Sequence, residues 1–274
     1  MNAKFSLVLP YYNRKQYLLT TIDSLEHFYG DRVDLEIIIV DDGSDQEHRV
    51  DELERNSKLA ISVIRIENKT GINPCYPYNV GARAANGEII LLSSPEIIHT
   101  SSIFAQADEF KSFKNDSYFV FSVYCPTDEE FNAQLLRKDI PFKCKLDIFD
   151  NNKSNVFDEP GKFGRSAFSN KFGSWYLHSK YRPSSLNFLT AISKNMYYHI
   201  GGFREDYRQG TGYDDSDLLD RLLPHTEVPL YFDETVALHL NHKPVSQGSP
   251  ITNKPLYDRL KSIPYDSNDV WGRL

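Results

Sequence analysis

The sequence has 274 residues, of which 40% are hydrophobic, 25% charged and 13% aromatic, the make-up of a globular chain long enough to bury the core of one large domain. Its 31 Lys and Arg against 38 Asp and Glu leave a formal charge of -7, which removes the basic footprint that nucleic acid as main partner requires. The three cysteines Cys75, Cys125 and Cys144 stand in no metal-like spacing, and their odd number argues for a reducing compartment rather than a disulfide framework.

Residues 1–4 lead straight into a strand-length apolar segment, too short for the core of a signal peptide. No apolar run approaches the roughly 20 residues needed to cross a bilayer. The expected place is the cytoplasm, with room for peripheral association at a membrane surface.

Phe5 to Leu9 reads as a buried strand stopped by Pro10, and Lys15 to Tyr29 sets Tyr17, Leu18, Ile22, Leu25 and Phe28 at near-helical spacing. Leu35 to Val40 is the continuous apolar run of a parallel strand covered on both faces, and it ends in the turn-forming Asp41-Asp42-Gly43-Ser44. A helix over 47–56, a strand over 61–66, a helix over 78–85 and a strand over 88–92 complete a β-α-β-α-β-α-β pattern. The fold class is α/β, an open, mostly parallel sheet flanked by helices with its ligand crevice at the carboxyl ends of the strands.

Farther on, the pattern predicts a helix over 103–113 and a strand over 118–124, then long loops from Asp147 to Ser179, where no period is visible. Order returns with a strand over 186–193, a helix over 194–200, a Gly201-Gly202-Phe203 turn, a helix over 215–223 and a strand over 236–240. Residues 1–245 are expected to form one domain, with a nucleotide-binding half over 1–100 and an acceptor half over 101–245. Residues 246–274 read as a tail packed on it.

Four polar clusters fall at strand ends or helix starts: Asp41-Asp42, Ser94-Pro95-Glu96 with His99, Asp214-Asp215-Ser216-Asp217, and His239-Leu240-Asn241-His242. Each has a plain structural reading, since Asp and Ser cap helices and acidic residues favour a first helical turn. Taken in order, however, they lie where strand ends converge in an open sheet, so distant carboxylates and imidazoles can share one crevice. On the aromatic stretch from Phe172 to Arg182 the residues leave two readings open. Trp175, Tyr176 and Arg182 either present ring faces and a cation to a sugar acceptor or anchor a loop in the core.

The succession Pro10-Tyr11-Tyr12-Asn13-Arg14, Asp41-Asp42-Gly43-Ser44, Asn79-Val80-Gly81 with Asn86-Gly87-Glu88, Gly201-Gly202-Phe203-Arg204-Glu205 and Asp214-Asp215-Ser216-Asp217-Leu218 with Arg221 resembles the family 2 glycosyltransferases of the GT-A fold, over roughly residues 5 to 242. The resemblance implies an inverting transfer of sugar from a nucleotide-sugar, most readily a UDP-sugar, to a hydroxyl of a glycan or lipid-linked glycan in surface polysaccharide or glycoconjugate synthesis. It sets Pro10, Tyr12, Asp42, Asn79, Ser94 and Glu96 along the donor, with Tyr12 against the base and Asp42 accepting from it. Asp215 becomes the catalytic base, and Gly202, Phe203 and Asp214 lie beside the acceptor.

The family's metal motif, Asp-x-Asp, is Ser94-Pro95-Glu96 here, so Glu96 holds the position of the metal-binding acid for a divalent cation such as Mn²⁺ or Mg²⁺. His239 or His242 would complete the ligand set, and strand alternation lets at most one of them face inward. Tyr78 stands where many relatives have Arg. The altered motif keeps a catalytically inactive sugar-nucleotide or glycan-binding module in view. A nucleotidyltransferase would carry a glycine-rich loop after the first strand, which Pro10 to Arg14 is not.

Overall fold

The computed structural model describes residues 4–105, 110, 112–161, 167–184, 186–242, 252–265 and 271–274. Along the chain run β1 (Phe5–Tyr11), α1 (Lys15–Tyr29), β2 (Leu35–Asp42), α2 (Leu53–Asn56), β3 (Ala60–Ile66), α3 (Cys75–Ala84), β4 (Ile89–Ser93) and β5 (Ile97–His99). They are followed by β6 (Tyr118–Pro126), α4 (Glu129–Leu135), α5 (Phe142–Val156), β7 (Gly173–Leu177), β8 (Leu189–Ser193), α6 (Lys194–His199), α7 (Asp214–Leu222), β9 (Leu230–His239) and α8 (Lys254–Leu260).

The nine described strands form one sheet in the order β3-β2-β1-β4-β8-β6-β9-β5, with β7 added on β6. β1, β2, β3 and β4 pair in parallel, Leu7 opposite both Ile37 and Leu91. Every residue of β1 and β4 is buried, as strands covered by helices on both faces must be. Beyond β4 the sheet turns mixed: β8 runs antiparallel to β4 and β6, while β6 and β9 are parallel. The last pairing, β5 against β9, sets Ile97 opposite His239, and this register carries the end of β9 to the loop after β4.

The helix over 15–29 and the strands of the first half stand where periodicity sets them. The helix expected over 47–56 is a short 3₁₀ turn, Gln46–His48, followed by the single turn of α2. Of the one expected over 103–113, a 3₁₀ turn Ile103–Ala105 is described, and residues 106–109 and 111 lie outside the described residues. The main correction concerns 147–179: instead of long loops, the chain forms the 15-residue α5 and the strand β7. In α5 only Lys145, Phe149 and Val156 are buried, and a buried lysine 3.8 Å from Asp23 breaks the apolar stripe that would betray a helix.

In the C-terminal segment Trp271 is buried against Tyr197 and Tyr198, and Arg83 Nε donates to its carbonyl at 2.7 Å. Residues 243–251 and 266–270 lie outside the described residues. No described helix is long and apolar enough to cross a membrane.

Candidate active site

A cavity of about 240 Å³ opens at the carboxyl ends of β1, β2 and β4, lined by Pro10, Tyr12, Arg14, Asp42, Lys69, Tyr78, Ser94, Glu96, His239 and His242 among others. A wider hollow of about 520 Å³ between α4 and α5 contains none of these residues and gathers no acid-imidazole set.

At one end of the cavity Asp42, almost fully buried as the last residue of β2, accepts from Lys69 Nζ at 2.5 Å and from the Thr70 amide and hydroxyl at 3.1 and 2.9 Å. The Lys69 ammonium lies 4.4 Å from the Tyr12 ring centroid, so a flat aromatic face, an acceptor carboxylate and a cation share this end. Asp41, the other acid of the pair, is bound to Arg65 at 2.6 Å and to the Ser44 amide at 2.8 Å, and it shapes the turn.

At the other end lies Glu96, with a side chain only 4% exposed. Its loop is tied down on both sides: Thr21 Oγ1 donates to the Pro95 carbonyl at 2.9 Å, and the Leu240 amide donates to the Glu96 carbonyl at 3.0 Å. Single candidate ligand atoms of Glu96, His239 and His242 all fall within 4.8 Å of one another, close enough that small side-chain shifts would bring the three onto one divalent cation. The expectation that only one histidine turns inward is corrected here. β9 ends at His239, so pleating no longer governs His242, and the two rings stand 5.3 Å apart.

The chemistry of these donors fits a metal. Burial pushes His239 down to about 4, so the ring is neutral, and its Nδ1 lies 3.1 Å from the Leu240 carbonyl, which leaves Nε2 as the lone-pair nitrogen. Arg14 Nη1 stands 2.5 Å from Glu96 Oε1 and 3.0 Å from His242 Nε2. Neither Lys69 nor Arg14 was singled out by sequence motifs as a cavity cation, because each reaches the cavity from a loop or helix start with no fixed spacing to the acids. His99, by contrast, is a core residue: its Nδ1 meets Tyr29 Oη at 2.8 Å, and burial drives it down to about 3.

Tyr78 connects the cavity to the acidic pair. Burial first, then the Asp215 charge, hold its phenol far above the ordinary value, so it stays protonated. Its ring stacks on Phe203 at 5.2 Å, and its hydroxyl lies 3.5 Å from the Asn187 carbonyl. Asn187 in turn donates to Asp215 Oδ1 from Nδ2 at 2.8 Å and from its amide at 3.3 Å, while Tyr118 and Thr190 donate to its own Oδ1 at 3.1 and 3.3 Å. Asn187, missed by sequence reading, fixes the orientation of Asp215. Burial raises both acids, and for Asp214 the neighbouring Asp215 charge adds to the rise. They open α7 after Tyr213, which adopts the left-handed conformation at φ 66°.

Other expected contacts find different tasks. Asn79, expected on the donor, does not line the cavity: its amide donates to the Phe203 carbonyl and to Glu205, and its oxygen accepts from Tyr197 and the Phe203 amide, each at 2.8 Å. It braces the Gly201-Gly202-Phe203 turn. Asp217 and Arg221 pair at 2.8 Å across one helical turn, and Arg221 Nη1 also donates to the carbonyls of Ile200 and Gly202. Phe203 is fully buried behind Tyr78, so it supports the wall instead of meeting an acceptor.

Trp175 is likewise fully buried, in T-shaped contact with Tyr124 and stacked near Tyr181, which selects its core-anchor reading. Tyr176 and Arg182 are half-buried, and the Tyr176 ring stands 5.0 Å from His239. Gly202 has φ 62°, and a Cβ there would lie 2.5 Å from Asn79 Oδ1. Gly202→Ala should therefore cost about 1–3 kcal/mol of unfolding free energy in urea melts, and a cost near zero would contradict the bracing role of Asn79.

A family model for glycosyl transferase family 2 matches residues 6–172, more than half of the chain. The chain belongs to glycosyl transferase family 2. Over 89 residues, 32% of this chain, it is 36% identical to the poly(ribitol-phosphate) beta-N-acetylglucosaminyltransferase TarS of Staphylococcus aureus, of which the match spans 15%. Among solved structures, S. aureus TarS superposes with a TM-score of 0.61 at 15% identity, covering 97% of this chain and 41% of that one. TarS 1-349 in complex with UDP-GlcNAc gives 0.64 at 16% identity, over 97% of this chain and 69% of that one. The mannosyltransferase PcManGT from Pyrobaculum calidifontis, with GDP-Man and Mn²⁺, gives 0.54 at 16% identity, over 89% and 59%. The fold is therefore that of the GT-A glycosyltransferases, and the chain spans less than half the length of the curated relative and of the first of these structures.

Proposed function

We propose that this family 2 glycosyltransferase domain moves a sugar from a UDP-sugar to a hydroxyl of a glycan, free or lipid-linked, with inversion at the anomeric carbon, in surface polysaccharide or glycoconjugate synthesis. The observation that carries the reading is the cavity, with an aromatic face and an acceptor carboxylate at Tyr12 and Asp42 and an acid-imidazole set at Glu96; Asp215, held by Asn187, lies outside its lining beyond Tyr78. TarS structures with UDP and with UDP-GlcNAc support a UDP-sugar as donor.

In this reading Tyr12 stacks on the base, and Asp42 accepts from it once Lys69 turns from the carboxylate toward the phosphates. Glu96, His239 and His242 would hold a divalent cation, Mn²⁺ or Mg²⁺, which supplies positive charge to the leaving diphosphate; Mn²⁺ accompanies two of the similar structures. Asp215, aimed by Asn187, removes the proton of the acceptor hydroxyl, and its raised pKa suits a base that must hold that proton. Tyr176 and Arg182 stand on the acceptor side. We take residues 1–245 as one domain and 246–274 as a tail, of which Trp271 packs on Tyr197 and Tyr198, and place the protein in the cytoplasm or at a membrane surface.

The test is incubation with UDP-sugars and hydroxyl-bearing glycan acceptors, followed by NMR of the product. UDP release with an anomeric configuration opposite to the donor's supports the proposal. Retained configuration contradicts it, and donor binding without transfer to any acceptor shifts the reading to an inactive sugar-nucleotide-binding module.

A further inference from the structure

Arg14 is the third residue after β1 and the one that immediately precedes α1, and its guanidinium reaches into the cavity at the strand end. There Nη1 contacts Glu96 Oε1 at 2.5 Å and His242 Nε2 at 3.0 Å, while Glu96 and His242 themselves stand 3.9 Å apart. Guanidinium only donates and keeps its charge at any working pH, so the His242 nitrogen facing it must present its lone pair. That lone pair and that carboxylate oxygen are the atoms a divalent cation would need. Two cations cannot share them at this range without strong repulsion in a pocket where Glu96 is almost fully buried.

We propose that Arg14 is a resident cation that holds Glu96 and His242 in register in the metal-free cavity and competes with the divalent cation for them. Metal entry displaces the guanidinium, which stays on the cavity wall, where its planar fork suits phosphate oxygens of the donor. Arg14 therefore weakens binding of the bare metal and strengthens binding of metal together with a nucleoside diphosphate. A long, flexible side chain at a helix start can make this exchange without moving the strand. The inference rests on the metal reading of Glu96, His239 and His242 given above.

The experiment measures unbound Mn²⁺ by electron paramagnetic resonance with wild-type protein and Arg14→Met, first with Mn²⁺ alone and then with UDP added. The expected result is Mn²⁺ binding about tenfold tighter in Arg14→Met, equivalent to ~1.4 kcal/mol, with the order reversed for UDP in saturating Mn²⁺. Equal or weaker Mn²⁺ binding by a folded Arg14→Met, against measurable binding by wild type, overturns the competition and leaves the metal site standing. Absence of Mn²⁺ binding by both proteins, even with UDP, overturns the metal reading itself.

Should Arg14→Met fail to fold, the wild-type protein still reports. Guanidinium ¹⁵N NMR, assigned with Arg14→Lys, should show the paired Arg14 signal lost on titration with diamagnetic Mg²⁺. A signal that persists through Mg²⁺ saturation contradicts displacement.

Discussion

Asp215→Asn should lower kcat by about 10²- to 10⁴-fold, the usual worth of a positioned base, while donor affinity stays within about twofold. The substitution is close to isosteric, and its amide oxygen can still accept both hydrogen bonds from Asn187, so geometry is preserved and basicity alone is lost. A parallel loss of donor affinity would contradict the assignment. The pH dependence has a definite sign. Because burial raises both carboxyls of the pair, the active, deprotonated form accumulates only as pH climbs above the ordinary carboxylate range, and the wild-type rate should rise with it toward neutrality.

Stability runs the other way. The folded pair holds its protons more tightly than the unfolded chain, so its favourable contribution is complete below the unfolded carboxylate value and fades as pH rises through the raised folded values. Removing one charge should therefore raise Tm at pH 8, and Asp215→Asn should melt no lower than wild type there. A variant that loses both activity and Tm at pH 8 would assign Asp215 a structural task.

Glu96→Gln should cost about 10- to 100-fold in UDP affinity measured with Mn²⁺ and leave the affinity measured in EDTA nearly unchanged. His239→Ala should follow the same pattern, since its lone-pair nitrogen faces the same space. Equal losses with and without metal would assign Glu96 to the nucleotide pocket through Arg14 alone.

The sequence discloses the parallel half of the sheet because continuous apolar runs such as Leu35 to Val40 have one stable use, a strand covered on both faces. It also discloses the acids at the strand ends, because turn and cap chemistry places them there. What it hides follows physical causes. α5 buries a lysine on its inner face, so its stripe is too thin to show a period. His242 escapes the strand rule because β9 ends three residues before it. Asn79 and Phe203 carry family positions but serve the Gly202 turn and the Tyr78 wall, a distinction visible only through hydrogen bonds and stacking. Lys69 and Asn187 reach the site from loops, so no fixed spacing announces them, and Arg14, though it ends the Pro10-to-Arg14 motif, shows its contact with Glu96 only in the fold.

In the proposed function, the cavity at the ends of β1, β2 and β4 binds UDP through a divalent metal. The decisive experiment is isothermal titration of the protein with UDP, once in Mn²⁺ and once in EDTA. One UDP should bind in Mn²⁺, with an affinity at least about tenfold weaker in EDTA. Binding that is equal in both, or absent from both, would contradict that proposal.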